Sequence, residues 1–244
     1  MSFKIPNLNA DGTLSQESGM EIYNHYLNVD RIDFDGERRK PTKVSIVHAM
    51  MKSHIKSSLN LIEAFLAQKK RIFFWSDQHF NHSNIIKYSN RPFEDKEHMN
   101  SVMIKNYFNT VNDDDLVIWG GDVAFGSVEE TRQILKSLPG KKILILGNHD
   151  FDKNKLTFRN YHIFDNHFMS YCFSLKIENK ICNILLTHYP VDNKWLPDNT
   201  LNVHGHIHVH TADKKNINIS VEHTNYKPIL LDEIIKEKFL ENYL

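Results

Sequence analysis

Five short motifs concentrate the Asp, Asn and His residues that could do chemistry in this chain. They are, in chain order, Asp77-Gln78-His79, Gly121-Asp122, Gly147-Asn148-His149-Asp150, Thr187-His188 and Gly205-His206-Ile207-His208. Their carboxylate, amide and imidazole groups are enough ligands for two adjacent divalent metal ions, and such a pair of ions commonly promotes hydrolysis of phosphate esters. Because the set mixes oxygen and nitrogen ligands, the residue types alone do not select the metal.

Four of the five motifs follow a run of apolar residues that is typical of a buried β-strand. The predicted strands are Arg71–Trp75, Leu116–Trp119, Lys142–Leu146, Phe168–Ile177, Ile181–Thr187, Leu201–Val203 and Ile217–Val221. The predicted helices are Glu94–Val111, Val128–Leu138 and Asp232–Tyr243. Early alternation of strands and helices, followed by a hairpin-rich half, predicts an α/β sandwich with mixed sheets. Ligands that follow such strands would share the rim at the strands' carboxyl ends.

The chain divides near residue 70 into an N-terminal helical extension, residues 1–70, and a second domain, residues 71–244. Within the extension, the apolar residues of Val44–Gln68 recur every three or four positions, which predicts a helix with a single apolar stripe. Such a stripe requires a partner. Packing on the main domain, a homo-oligomer interface through residues 44–68, and a lid over the site all remain open.

Composition narrows the possible partners and the compartment. The 30 basic and 30 acidic residues balance, so the chain has no overall positive field to attract nucleic acid. The start of the chain lacks the pattern of a secretory signal, and no apolar stretch approaches the about 18–20 residues that span a bilayer. We therefore expect a cytoplasmic protein without membrane association.

The two cysteines, Cys172 and Cys182, flank a predicted hairpin turn at residues 178–180. If Ile177 faces Ile181 in that hairpin, the two sulfurs lie about four ladder positions apart, or roughly 13 Å at the usual strand rise. That separation is too large for a disulfide. Two reduced thiols are typical of a cytoplasmic protein.

The ordered pattern D-x-H, G-D, G-N-H-D, H and G-H-x-H resembles that of the calcineurin-like metallophosphoesterases over about residues 71–235. The runs Ser76–His82, Asn90–Phe93 and Asn225–Pro228 are most similar to those of small bacterial and phage members. The resemblance implies a four-layer αββα sandwich with two mixed sheets and a metal-dependent phosphoesterase activity. It also implies two divalent metal ions, with Mn expected first and Fe, Zn or Ni as alternatives.

The resemblance also implies a role for each motif residue. The metal ligands would form two sets of three with one bridge between them: Asp77, His79 and His208; Asn148, His188 and His206; and the bridging Asp122. A hydroxide held between the metals would attack phosphorus. His149 would be the catalytic histidine that stabilises or protonates the leaving oxygen, and Asp150 would orient His149.

Two residues outside the ligand sets, His82 and Arg91, are candidate substrate contacts. His82 lies on the loop just after the first motif, and Arg91 could present its guanidinium to a phosphate. A purely structural role remains open for each of them. Trp195 could form a wall of the pocket, whereas Phe125 is expected in the core.

Hydrolysis of a phosphodiester in a small, nucleotide-like substrate is the first functional expectation, and a phosphomonoester is its variant. A nuclease or nucleic-acid end-processing phosphatase is an alternative that requires a basic stripe beside the site. The only obvious basic cluster, within Arg31–Lys43, lies outside the core. A metal-binding module that recruits a partner and has only vestigial hydrolysis is the third hypothesis, although an intact His149 favours catalysis.

Overall fold

The computed structural model describes residues 61–150, 161–177 and 179–243. Most of the helix predicted over Val44–Gln68 lies outside the described residues, as do its proposed oligomer and lid roles and the basic cluster within Arg31–Lys43. The described end of that region, residues 61–67, is helical. Its Ile62 and Phe65 are buried in the main hydrophobic core, so this end packs on the domain that follows it.

The first of two sheets carries three of the five motifs. Its strands are β1 (Ile72–Trp75), β2 (Leu116–Trp119), β3 (Lys141–Ile145), β4 (Asn166–Phe168) and β9 (Ile229–Leu230), in the order β4-β3-β2-β1-β9. Strands β1 to β4 are parallel, and β9 is antiparallel to β1. The parallel direction brings the carboxyl ends of β1, β2 and β3 to one rim.

The second sheet carries the other two motifs. Its strands are β5 (Ser170–Ile177), β6 (Lys180–Thr187), β7 (Thr200–His204) and β8 (Asn216–Asn218), in that order. Strands β5 and β6 are antiparallel, whereas β6, β7 and β8 are parallel. A parallel bridge between Ser76 and Ser220 joins the chain beyond β1 to the chain beyond β8. The rims of the two sheets therefore meet.

The two sheets face each other across a continuous apolar core. Because side chains alternate along a strand, Ile72 and Phe74 of β1 point into this core, where Ile184 and Leu186 of β6 and Leu201 of β7 also lie. The other face of the first sheet forms a separate buried cluster with the helices that cover it. The α/β class with two mixed sheets is thus confirmed.

Besides the helical residues 61–67, the described residues form four α-helices. They are α1 (Ser83–Tyr88), α2 (Lys96–Phe108), α3 (Val128–Ser137) and α4 (Leu231–Tyr243). Buried side chains of α1, α2 and α3 pack on the first sheet, while those of α4 join the core between the sheets. Helix α3 begins with a capping box formed by Ser127 and Glu130, as their spacing predicts. In the described part of the chain, no helix combines the length and apolar character required to cross a bilayer.

The strand predictions were wrong in three places. The predicted strand Ile217–Val221 is β8, Asn216–Asn218, and Ser220 beyond it forms only an isolated bridge. The run Phe168–Ile177 is divided at Met169, so that β4 belongs to the first sheet and β5 to the second. Because apolar residues continue on both sides of Met169, the sequence pattern did not indicate that the chain changes sheets there. Helix α1 and strand β9 were not predicted, because six and two residues are too few to show a period.

The hairpin register differs from the prediction by one residue. Ile177 pairs with Lys180, and Cys182 pairs with Leu175. The position of Cys172, opposite Leu185, still keeps the two sulfurs apart, and both cysteines are free. The prediction of two unpaired thiols is confirmed.

Candidate metal centre

The motifs converge where the carboxyl ends of the two sheets meet. Carboxylate and imidazole side chains form two groups there, and within each group the ligand atoms lie within 4.8 Å of one another. The first group consists of Asp77, His79 and His208. The second group consists of Asp122, His188 and His206. The structure therefore brings together the residues that were expected to hold two ions, although they are spread over the chain from β1 to the loop after β7.

Asp122 belongs to the second group and also approaches the first. Its Oδ2 is 3.7 Å from Nε2 of His79 in the first group and 3.4 Å from Nε2 of His188 in the second. The amide Oδ1 of Asn148 lies 3.1 Å from the same nitrogen of His188, so Asn148 belongs beside the second group. A carboxylate in this position can reach two cations at once.

The ring of His188 is oriented by the backbone. Its Nδ1 donates to the carbonyl oxygen of Gly120 at 2.8 Å, which turns Nε2 toward the other ligands. Burial alone would lower the pKa of His188, but the Asp122 carboxylate raises it to about 9. The same interaction lowers the pKa of Asp122, although burial opposes that shift. A cation bound between these side chains would replace the proton on Nε2.

The first group contains a buried nitrogen that fits a metal. Nε2 of His79 has no hydrogen-bond partner among the described residues, and leaving such an atom unpaired costs about 1–3 kcal/mol. Burial holds the pKa of His79 well below its usual value, so the ring is neutral and its lone pair can bind a cation. Asp77 is fixed beside it by hydrogen bonds from Ser76 Oγ (2.6 Å) and Ser220 Oγ (2.9 Å).

Five of the expected ligands have a left-handed backbone. Their φ angles are +59° at Asp77, +51° at His79, +54° at Asp122, +69° at His206 and +47° at His208. This conformation costs roughly 1–2 kcal/mol for a residue other than glycine. Strain of this kind clusters at functional sites, where the surrounding structure enforces it.

Two glycines permit the close approach of these turns. A Cβ at Gly147 would collide with Oδ1 of Asp122, and a Cβ at Gly205 would collide with Oδ2 of Asp77. Each glycine thus faces the carboxylate of another motif. The glycines are required by contacts between motifs, not only by the local turn.

Asp150 has a different role from the one expected. Its Oδ2 accepts hydrogen bonds from the backbone N–H groups of Gly147 (2.8 Å) and Asp122 (2.9 Å), and its Oδ1 accepts one from Val123 (3.3 Å). Both carboxylate oxygens are therefore directed at the backbone rather than at the His149 ring. Asp150 joins the loop after β3 to the loop after β2. Burial and the nearby Asp122 charge raise its pKa to about 6.

Both groups open into one cleft of about 1170 Å³. His79, His206 and His208 line it, together with His149. The backbone N–H of His149 donates to Oδ1 of Asp122 at 2.8 Å, and its ring centroid is 5.5 Å from that of His79. The expected catalytic imidazole therefore lies beside the ligand groups.

An aromatic wall forms one side of the cleft, and it consists of Tyr88, His82 and Phe125. The rings of His82 and Phe125 are stacked with centroids 3.9 Å apart, and Tyr88 lies edge-on to His82. Tyr88 is 74% exposed, whereas Phe125 is half-buried and also stacks on His79. Phe125 was expected in the core. The sequence did not predict that Phe125 lines the cleft, because an apolar residue near a motif is usually buried in the core.

The remaining candidates divide between the cleft and the interior. His82 lines the cleft, and burial lowers its pKa to about 4. Arg91 does not: its side chain is 0% exposed, and its guanidinium donates to the backbone carbonyls of Asp77 and Gln78. The expectation that Arg91 contacts substrate is therefore corrected. Trp195 is partly exposed and is not among the residues that line the cleft.

Comparison with known proteins agrees with this geometry. A family model described as calcineurin-like phosphoesterase matches residues 70–242. The chain is 37% identical over 177 residues to the uncharacterized protein MJ1445 of Methanocaldococcus jannaschii, which covers 68% of this chain and 90% of that protein. It is also similar to the crystal structure of the protein of unknown function AQ665 from Aquifex aeolicus, with 30% identity and a TM-score of 0.54. That match covers 69% of this chain and 99% of the other.

Substituting Gly147→Ala should remove metal from an otherwise folded protein. The added methyl group would collide with Asp122 Oδ1 and lie 2.6 Å from the Asp122 backbone nitrogen, so this residue must move away from the other ligands. Overpacking of this kind destabilises by about 1–3 kcal/mol. Bound Mn²⁺ per folded chain, measured by elemental analysis after equilibrium dialysis, should fall below that of the wild type.

The matched control is Gly140→Ala. Gly140 has a φ of +81°, and its added Cβ would lie 3.0 Å from the backbone of Asp115, at the opposite ends of β2 and β3 from the motifs. This variant should lose a similar amount of stability and keep its metal. Equal metal content in both variants would show that Gly147 does not maintain the position of Asp122.

Proposed function

Because the chain belongs to the calcineurin-like phosphoesterase family, we propose that it is a dinuclear, metal-dependent phosphodiesterase acting on a small, nucleotide-like substrate. The observation that carries this proposal is that Asp122 belongs to one ligand group and approaches the other, in one cleft that His149 also lines. Asp77, His79 and His208 would hold one ion and Asn148, His188 and His206 the other, with Asp122 shared.

The residues of the cleft suit an in-line displacement at phosphorus. Two bound metal ions would supply a water of lowered pKa and would screen the phosphate oxygens. His149 is held by its backbone bond to Asp122 while its ring faces the cleft, so it can hydrogen-bond a phosphate oxygen or give a proton to the leaving oxygen. Asp150 contributes indirectly, because it fixes the loop on which His149 lies.

The described side chains of the cleft add no Lys or Arg charge to that of the two metal ions, which suits a diester better than a monoester. Among the described residues that line the cleft, the side chains that can carry a charge near neutral pH are histidines and the exposed Asp192 and Asp213, with no Lys or Arg. A diester carries one negative charge and a monoester close to two at neutral pH. The same lining offers no basic stripe for a nucleic-acid backbone, which would require several Lys or Arg contacts. The nuclease alternative is therefore less favoured.

The aromatic wall supports a substrate with a planar group. Tyr88 projects into solvent at the cleft, and the His82–Phe125 stack continues the wall toward His79. Aromatic side chains bind nucleobases by stacking, which is tolerant of base identity. A small nucleotide-like diester would place its phosphate at the metal groups and a base against this wall.

Two further proposals concern the cellular compartment and self-association. Both cysteines of the chain are free, which supports a reducing compartment such as the cytoplasm. Self-association through residues 44–68 is retained as a proposal, although most of that segment lies outside the described residues.

The direct test uses two chromogenic substrates, bis(4-nitrophenyl) phosphate and 4-nitrophenyl phosphate. Protein stripped of metal and then reloaded with Mn²⁺ should hydrolyse the diester with the higher kcat/KM. A preference for the monoester would contradict the phosphodiesterase assignment. Binding of two ions without activity on either ester would favour the metal-binding module with vestigial hydrolysis.

Replacing His149 should separate catalysis from metal binding. Because its ring faces the cleft and its backbone N–H donates to Asp122, a bond that alanine retains, His149→Ala should lower kcat by about 10²–10⁴ and leave the bound metal unchanged. The exposed His162, which is not among the cleft residues, provides the control His162→Ala with wild-type turnover. Wild-type turnover in His149→Ala would exclude His149 as the catalytic histidine.

Removing the outermost ring of the aromatic wall should affect only substrates that carry a base. Loss of stacking costs about 1–3 kcal/mol per base, so Tyr88→Ala should raise KM roughly 5- to 150-fold for a diester containing a nucleoside. A dialkyl phosphate, followed by ³¹P NMR, should show no change. Phe108→Ala is the control, since Phe108 is 49% exposed but does not line the cleft. An unchanged KM for the nucleoside diester would exclude base stacking on Tyr88.

A further inference from the structure

A buried ion pair lies behind the first ligand group. Nη2 and Nε of Arg91 are 2.8 and 2.9 Å from Oε1 of Glu222, and the two side chains are 0% and 5% exposed. Burying two charges is unfavourable unless they are paired and their remaining hydrogen-bonding groups are satisfied. The position of such a pair beside a proposed metal therefore requires an explanation beyond general stability.

The guanidinium of Arg91 satisfies its other donors on the loop that follows β1. Nη2 donates to the carbonyl of Asp77 at 2.7 Å, and Nη1 donates to the carbonyl of Gln78 at 2.9 Å. Asp77 and His79 on this loop both have strained, left-handed backbones. Arg91 thus holds two consecutive carbonyls in the conformation that presents two ligands of the first group.

Glu222 orients the third ligand of the same group. Its Oε1 accepts a hydrogen bond from Nδ1 of His208 at 3.0 Å. A carboxylate can only accept here, so Nδ1 carries the proton and the lone pair of Nε2 is directed away from Glu222. Metal-binding histidines commonly have such a carboxylate partner, which fixes the ring and makes it a stronger ligand.

The second group is supported in another way. The His188 ring donates to the backbone carbonyl of Gly120, so its partner is a neutral peptide group. The Arg91–Glu222 pair contacts the loop of Asp77 and the ring of His208, both of which belong to the first group. The two groups are therefore held by chemically different supports.

From these contacts we infer that Arg91 and Glu222 are positioning residues that set the affinity of the first metal site and leave the second unchanged. The inference rests on the proposed dinuclear centre. Through one shared carboxylate oxygen, the pair links all three ligands of the first group: Asp77 and His79 by the Arg91 contacts to their loop, and His208 by its ring.

The test replaces the carboxylate by an amide of the same shape. In Glu222→Gln, the charge that pairs with Arg91 and strengthens His208 is lost, so Mn²⁺ affinity at one site should fall about 10- to 100-fold. Isothermal titration calorimetry of the metal-free protein with Mn²⁺ should show two sites in the wild type. The variant should show one unchanged site and one site of lower affinity. At intermediate Mn²⁺, EPR of the variant should show isolated rather than spin-coupled Mn²⁺.

The control removes an ion pair that is remote from the site and only half-buried, because the Arg71 side chain is 45% exposed. Asp115 has a 5% exposed side chain, and its Oδ1 accepts from Nε of Arg71 at 2.9 Å, at the opposite ends of β1 and β2 from the site. Asp115→Asn should lower the unfolding midpoint but keep two unchanged Mn²⁺ sites. Arg91→Lys keeps the charge and loses the fork of donors, so it should also weaken one site only.

The outcomes separate the inference from the proposed function. A wild-type protein that binds fewer than two ions would contradict the dinuclear centre itself. Two wild-type sites that remain unchanged in both Glu222→Gln and Arg91→Lys would overturn the positioning role. Equal weakening of both sites would also overturn it. If Glu222→Gln does not fold, the titration of Arg91→Lys decides the question.

Discussion

The architecture depends on one carboxylate that joins the two sheets. Asp77 follows β1 of the first sheet, yet its oxygens accept hydrogen bonds from the backbone N–H of His206, beyond β7, and from the hydroxyl of Ser220, beyond β8. Gly205 has no side chain at the point where this carboxylate arrives. If the sheets were farther apart, Asp77 would be a buried charge with only its chain neighbour Ser76 as a partner, which is far less stable than a fully paired one.

The loops around this contact contain strained backbone conformations that position the ligand side chains. Left-handed turns place the ligand side chains, and the backbone is kept in that state by groups that are themselves buried, such as the Asp150 carboxylate and the Arg91 guanidinium. The extensive apolar core between the sheets stabilises the sandwich enough to tolerate this strain. The site is therefore rigid because of its hydrogen bonds to neighbouring loops and not because of regular secondary structure.

Sequence patterns predicted the features that are local. Apolar runs located β1, β2 and β3, and the motifs after them identified the residues that the structure brings together. Patterns could not show contacts made across the fold: Arg91 and Glu222 are 131 positions apart, and Asp150 binds backbone rather than its sequence neighbour. The change from the first sheet to the second at Met169 was also missed, because the apolar pattern is the same on both sides of that residue.

The large sequence separation between Asp77 and His206 affects the order of folding events. These residues are 129 positions apart, and the hydrogen bonds between them can form only after both sheets have docked. Loop closure over such a length is slow compared with formation of a hairpin such as β5–β6. We therefore expect the ligand groups to be completed late in folding, so that a bound metal ion would stabilise a sandwich that has already assembled.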